Sequence, residues 1–275
     1  MGERDISNCT VLPRGVMWLT SRLADQMQAK TINEVIDAMT EKLHDLKKTG
    51  DHRVVFHHVY LLMTKEMKKR LSSGFFSDPD WMERVLVSFA HYYFQAIEAY
   101  ELGLPCPPAW EHAFRLATQK KGLVLQDALL GINAHINNDL PMVMYGILTE
   151  DQAWPDARIM LHRRQDHDRI NDVLSELIDL VQEELSQHYG RFIRFLDFVM
   201  GRKDESLFAF ILAHCRTNVW YNTELLLNAS DENQWNLQRK QIENDALSIG
   251  KKIANSHSVK VTKYLAIFSR KIRWF

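Results

Sequence analysis

Apolar residues recur at spacings of three and four along most of this chain, and few glycines or prolines interrupt them. This spacing is typical of amphipathic helices, whereas the alternation expected of strands is hard to find. Only 11 glycines and 7 prolines occur in 275 residues. We therefore predict an all-α protein, folded as a single bundle-like domain of about 8–10 helices over residues 1–275.

Capping and turn residues predict where the helices begin and end. Asp78 followed by Pro79 is typical of a helix N-terminus, because proline is tolerated at the first helical position. We predict an N-terminal extension over residues 1–30 and amphipathic C-terminal helices over residues 234–275. The predicted helices are Ile32–Leu46, Val54–Leu71, Trp81–Leu102, one from Pro108 or Ala109, one from about Leu123, Arg169–Gln187, Arg191–Met200, Ser206–Leu227, and one or two from Gln234 onward.

Charge and cysteine content restrict the environment and the partners. The chain has 34 basic and 35 acidic residues, a formal charge of −1, which argues against a nucleic-acid-binding surface. Its three widely spaced cysteines (Cys9, Cys106 and Cys215) fit a reducing compartment. No signal core and no run of 18 apolar residues is present, so we predict a cytoplasmic protein without a transmembrane segment. The basic and aromatic C-terminal tail predicts an amphipathic closing helix or, alternatively, a weak membrane-surface contact.

The segment from Leu129 to Pro141 is apolar except for a dense polar cluster at Asn133, His135, Asn137, Asn138 and Asp139. Burying such groups without partners costs about 1–3 kcal/mol each. On a helix, His135 and Asp139 lie one turn apart on the same face. The cluster therefore predicts either a metal or catalytic site or a buried hydrogen-bond network that joins helices. Pro141 predicts a kink or a helix end beside it, where a pocket would form.

Imidazole and carboxylate groups together suit zinc, iron or manganese, so we predict a divalent metal ion at His135 and Asp139. Further ligands have to come from facing helices, as in other helical bundles. The candidate suppliers are His57 or His58 and Asp166 or Asp168.

Each of these suppliers has a structural alternative. His57 and His58 lie in an apolar helix and are equally compatible with core histidines that bond to the backbone. The segment 165–172 is rich in charge, which predicts a solvated loop that leads into a helix, with Asp168 capping the N-terminus of that helix.

The leading functional hypothesis is a metal-dependent hydrolase that acts on a small, partly apolar substrate through a metal-bound water. Asn133 and Asn137 would then support the catalytic pair with hydrogen bonds. Arg216, near Glu224, would orient an anionic substrate group or form an internal ion pair. Four aromatic residues would line the substrate pocket, unless they are plain core: Tyr60, Tyr93, Trp110 and Trp220.

Two other functions stay open. One is a non-enzymatic helical protein that binds a lipid or isoprenoid-like ligand. The other is a terpene cyclase-like enzyme, because Asn171, Ser175 and Asp179 have the i, i+4, i+8 spacing of a magnesium-binding motif. Class I terpene cyclases have Glu at the last of these positions, and no partner Asp-rich helix is found in this chain.

Several motifs resemble a family of bacterial helical proteins known as domain of unknown function 5995, over about residues 35–227. The most specific block is Asn133-Ala-His135-Ile-Asn137-x-Asp139-Leu, and Arg216-xxx-Trp220-xxx-Glu224 also matches. The resemblance implies a single helical domain and a polar cluster around His135 and Asp139, and it implies no established activity. The His-xxx-Asp motif is also similar, more weakly, to helical zinc-dependent phospholipase C metal sites, although clear counterparts of their remaining ligands are missing.

Overall fold

The computed structural model describes residues 29–120, 124–154, 156–189 and 202–255, and every regular element in them is helical. This confirms the predicted all-α bundle. The eight helices are α1 (Ile32–Thr49), α2 (Val54–Ser72), α3 (Pro79–Glu101), α4 (Pro108–Thr118), α5 (the continuous run of Val124–Asn133, Ala134–Asp139 and Leu140–Glu150), α6 (Ala157–Tyr189), α7 (Arg202–Leu227) and α8 (Glu232–Ala254).

Local sequence signals explain the helix ends. The Asp78 carboxylate accepts a hydrogen bond from the backbone N–H of Trp81 at 2.9 Å, and Pro79 occupies the first turn of α3. This cap satisfies one of the N–H groups that a helix leaves unpaired at its start. At the other end of α1, Gly50 adopts a φ of 62°, a left-handed conformation that glycine accepts without strain.

Helix α5 lies at the centre of the bundle and is contacted by α2, α3, α4, α7 and α8. The core around it is aromatic, and its largest fully buried side chains include Trp81, Tyr93, Trp110 and Trp220. Polar groups on α5 are therefore surrounded by apolar side chains from several helices. Each buried polar side chain among them needs a partner within the protein or a ligand.

Pro141 does not end the helix, which continues to Glu150; the helix instead changes register before it. Residues Ala134–Asp139 form a π-helical turn, in which the backbone N–H of Leu140 donates to the carbonyl of His135. In an α-helix the proline ring would press on the carbonyl four residues earlier, that of Asn137. We attribute the π turn to this conflict, because its extra residue widens the helix at that carbonyl. Such turns are rare and frequently lie at functional sites.

The predicted loop over residues 165–172 is wrong, because α6 already begins at Ala157 and runs through it. Asp168 therefore caps no helix; its carboxylate accepts a hydrogen bond from Arg164 Nε, one turn earlier, at 2.9 Å. The charges of this segment lie on a helix that is exposed on one face. Asp166 faces inward, and its two oxygens accept the backbone N–H groups of Ser77 and Asp78, each at 2.9 Å.

Some predictions concern residues outside the described parts of the chain. These are the N-terminal extension up to residue 28 with Cys9, the helix Arg191–Met200, and the basic tail from residue 256 onward. Helix α8 begins at Glu232, two positions before the predicted start. In the described residues, we find no helix with the length and apolar character needed to cross a membrane.

Gly131 sets how closely α2 approaches α5. A Cβ atom at this position would overlap the Cβ and ring atoms of Phe56, whereas a Cβ at Gly146, also on α5, would meet no atom within 4 Å. We expect Gly131→Ala to lower the free energy of unfolding by about 1–3 kcal/mol through overpacking. The matched control Gly146→Ala is expected to be neutral or to stabilise the protein by up to about 1 kcal/mol through helix propensity. Denaturant unfolding measures both, and equal stability of the two variants would contradict this packing.

Candidate functional site

His135 and Asp139 meet in the π-helical turn as a buried pair. Nδ1 of His135 lies 2.9 Å from Oδ2 of Asp139, and the two residues are 2% and 1% exposed. A carboxylate only accepts hydrogen bonds, so Nδ1 carries the hydrogen and the neutral ring keeps its lone pair on Nε2. Burial lowers the pKa of His135 from its ordinary value, and Asp139 offsets part of this effect. The ring is therefore neutral at physiological pH.

Two further donors hold the Asp139 carboxylate. Trp110 Nε1 donates to Oδ2 at 2.8 Å, and Asn138 Nδ2 donates to Oδ1 at 2.8 Å. With the bond from His135, both oxygens have partners, which is how a buried carboxylate stays charged inside a protein. Asp139 is thus arranged to orient the imidazole, with little capacity left for a metal ion.

Five aromatic rings from three other helices surround the His135 imidazole. The Phe89 ring stacks on it face to face, with centroids 3.4 Å apart and an interplanar angle of 3°. The remaining rings approach at centroid distances of 4.5 to 6.0 Å and come from Tyr60, Trp110, Phe56 and Tyr93. The structure therefore brings three of the predicted pocket residues, Tyr60, Tyr93 and Trp110, to the pair formed by His135 and Asp139.

Nε2 of His135 is buried and has no hydrogen-bond partner among the described residues. Leaving such an acceptor unsatisfied costs about 1–3 kcal/mol. Asp139 determines which nitrogen is left free, and the aromatic rings keep bulk water from it. The arrangement presents one basic lone pair in an apolar enclosure.

His57 is occupied elsewhere. Its Nε2 lies 2.7 Å from the carbonyl oxygen of Met39, so it donates there, and Nδ1 accepts from the Tyr93 hydroxyl at 2.8 Å. Burial lowers the pKa of His57 to about 4, which keeps the ring neutral. Both nitrogens are used, as the core-histidine alternative predicted. His58 is buried on the same helix and has contacts of its own.

The other predicted metal ligands are not assembled around His135. Asp168 is paired with Arg164 on the half-exposed side of α6, and Asp166 bonds to the backbone before α3. In the part of the chain that the structure describes, no group of three or more His, Cys, Asp or Glu side chains is placed to hold a metal ion. The metal hypothesis thus stays a prediction, with one free nitrogen donor at its proposed centre.

Asn133 and Asn137 form their hydrogen bonds away from the pair formed by His135 and Asp139. Asn133 Nδ2 donates to the backbone carbonyl of Ala246 on α8 at 2.9 Å, and Asn137 Nδ2 donates to Asn133 Oδ1 at 3.0 Å. The first bond joins α5 to α8, and the second orients the Asn133 amide within α5. The contacts assign the two amides to the positioning of the π turn.

Arg216 and Trp220 form a separate polar region between α6 and α7. Trp220 Nε1 donates to Glu224 at 2.7 Å, so the internal Arg216–Glu224 ion pair considered from the sequence is not formed. The Trp220 ring instead lies 5.5 Å from that of His167. Arg216 bonds to the backbone carbonyl of His167.

The sequence analysis did not identify Phe56 and Phe89 as residues of the site, and it did not predict that Asn138 bonds to Asp139. The spacing contains a usable signal for the rings, because Phe56 lies one helical turn before Tyr60 and Phe89 one turn before Tyr93. Residues four apart share a helix face. A search for aromatic pairs at this spacing would have predicted both.

A family model described as "Family of unknown function (DUF5995)" matches residues 32–256. The chain belongs to this family. The match confirms the resemblance drawn from the sequence and extends it beyond residue 227. The comparisons with curated proteins and with solved structures give no match, so the weaker likeness to zinc-dependent phospholipase C sites has no support there.

The two histidine tautomers can be measured. We expect His135 as the Nδ1–H form, because Nδ1 donates to Asp139, and His57 as the Nε2–H form, because Nε2 donates to Met39. Both rings should stay neutral as the pH falls to 6.5, since burial lowers both pKa values. Long-range ¹H–¹⁵N correlation spectra assign the protonated nitrogen. Exposed His162 on α6 serves as the solvent-facing reference ring in the same spectra. An Nε2–H tautomer at His135 would contradict the geometry of the site.

Proposed function

We propose that this protein is a hydrolase of small, partly apolar molecules, in which His135 Nε2 acts as a general base on water. The observation that carries the proposal is the free lone pair of a buried imidazole, oriented by a carboxylate and placed in a rare π-helical turn. A general base has to present an unprotonated nitrogen to the reacting proton, and this ring does so at neutral pH.

The roles of the surrounding residues follow from their contacts. Water gives a proton to Nε2 as its oxygen adds to the electrophilic carbon of the substrate, and the proton later passes to the leaving group. Asp139 stabilises the imidazolium that forms in between. Trp110 and Asn138 hold the carboxylate in place. The rings of Tyr60 and Phe89 bind the apolar part of the substrate, and one of them has to move aside, because His135 is 2% exposed.

The residues around His135 are less well arranged to bind a metal ion than to activate a water molecule. Asp139 accepts hydrogen bonds from three donors, and both ring nitrogens of His57 have partners. His135 Nε2 is therefore the atom that remains available to a metal ion at this pair. A catalytic metal ordinarily takes three protein ligands. We therefore derive no catalytic step through a metal.

The first test is ester hydrolysis by the purified full chain, with p-nitrophenyl acetate, butyrate and octanoate as probes. We expect His135→Gln to lower kcat/KM by about 10²–10⁴-fold, the usual contribution of a general base. Asp139→Asn is expected to lower it as well, because an amide at this position can donate to Nδ1 and so place the hydrogen on Nε2. His162→Gln, on an exposed face of α6, is the matched control and should keep the wild-type rate.

Equal rates for wild type and His135→Gln would overturn the proposal, as would a wild-type rate no higher than that of buffer with all three esters. Circular dichroism and thermal unfolding of each variant separate a lost base from a lost fold. Saturable binding of the esters without turnover would instead favour the non-enzymatic ligand-binding function, which the aromatic lining also fits.

The second test is elemental analysis of the wild-type protein. The metal hypothesis requires about one zinc, iron or manganese ion per chain. From the contacts, we expect any such ion to be lost in His135→Ala and retained in Asp168→Asn, because Asp168 lies in a different ion pair. Loss of the metal ion in both variants would instead support the larger ligand set predicted from the sequence, which includes Asp168.

The cyclase hypothesis has less structural support. Ser175, the central residue of the proposed magnesium motif, is exposed, whereas Asn171 is half-buried. The Asp179 side chain lies outside the described residues. Magnesium-dependent binding of a diphosphate would favour this function over the hydrolase.

A further inference from the structure

Arg216 is a buried cation at the contact between α6 and α7. The residue is 3% exposed, and its Nη2 donates to the backbone carbonyl of His167. In return, Nε2 of His167 donates to the backbone carbonyl of Arg216 at 3.1 Å. These reciprocal bonds hold the guanidinium in one position between the helices.

The guanidinium has an unused donor. Nε of Arg216 is buried and has no hydrogen-bond partner within the described ranges, and no described carboxylate forms an ion pair with this residue. Two carboxylates of this region form their hydrogen bonds elsewhere: Asp168 bonds to Arg164, and Glu224 bonds to Trp220. A buried charge is costly, and burial lowers the pKa of Arg216 to about 9, although the nearby Asp168 carboxylate offsets part of this effect.

Four charged side chains lie in this region: Arg164 and Arg216 are cationic, and Asp168 and Glu224 are anionic. Burial keeps the His167 ring neutral by lowering its pKa. A singly charged ligand adds less negative charge here than a doubly charged phosphate. Trp220, which is 2% exposed and has Arg164 over its ring, provides an apolar wall beside it.

We propose that Arg216 binds the carboxylate group of a small ligand through its Nε–H, at the interface of α6 and α7. Charge-assisted hydrogen bonds from arginine to carboxylates are among the strongest in proteins. The apolar part of the ligand lies against Trp220. This site is independent of the chemistry proposed at His135, because none of its residues contacts that pair in the described structure.

The test follows the Nε–H resonance of Arg216 in ¹H–¹⁵N spectra of the full chain. A buried guanidinium exchanges slowly with water and gives an observable peak. Correlation from the backbone of Arg216 assigns it without any variant, and Arg216→Lys confirms the assignment by its loss. Sodium butyrate, sodium acetate, sodium phosphate and sodium chloride serve as probes at constant ionic strength.

We expect butyrate to shift this peak saturably and at lower concentration than acetate, because only butyrate has a tail to place on Trp220. Chloride should produce no saturable shift. Arg158→Lys, an exposed arginine on α6, is the matched control and should leave the response unchanged.

Three results would overturn the proposal. They are a peak that no probe moves, equal shifts with chloride and butyrate, and a saturable shift with phosphate but not with the carboxylates. Because the measurement uses the wild-type chain, it stands even if Arg216→Lys fails to fold.

Discussion

The buried Asp139 carboxylate is the group on which the centre of this fold depends. A charge at 1% exposure is tolerated only when donors surround it, and here Trp110, His135 and Asn138 provide three. Trp110 brings α4 to α5 through this contact. His135 extends it further, because its ring stacks on Phe89 of α3 and meets aromatic rings of α2. Removing one donor to such a buried carboxylate typically costs about 1–3 kcal/mol, and more where the group left behind is charged, so the same contacts support both the packing and the site.

The register of α5 depends on Pro141, six residues after His135. A regular α-helix would set the proline ring against the carbonyl of Asn137. The π-helical turn avoids the clash, and the same turn contains both His135 and Asp139. Asn133 anchors the start of the turn to α8 through the carbonyl of Ala246. One local steric conflict therefore decides which side chains of the polar cluster meet the aromatic rings and which turn toward α7 and α8.

The sequence predicted the helices well wherever a helix has one apolar face and clear ends. Ile32–Thr49 and Val54–Ser72 match to within three residues, and the Asp78 cap was anticipated. The prediction for segment 165–172 was wrong, because a dense run of charged residues was taken as a loop. Within the helix these charges have partners one turn away, such as Arg164 for Asp168. The pairing of His135 with Asp139 followed from spacing alone. The hydrogen-bond partners of His57 and Arg216 could not be predicted in this way. They are the backbone carbonyls of Met39 and His167, which no side-chain pattern reveals.

The two unpartnered nitrogens differ in hydrogen-bond character, and this restricts what each can bind. Nε2 of His135 offers a lone pair and therefore accepts a proton or a hydrogen bond, whereas Nε of Arg216 carries a hydrogen and donates it. A carboxylate satisfies the second group and not the first. A hydroxyl or a water molecule can donate to the first and also accept from the second, but only an anion accepts from arginine in a doubly charge-assisted bond. The two groups therefore favour different ligands, a hydrogen-bond donor at His135 and an anionic acceptor at Arg216.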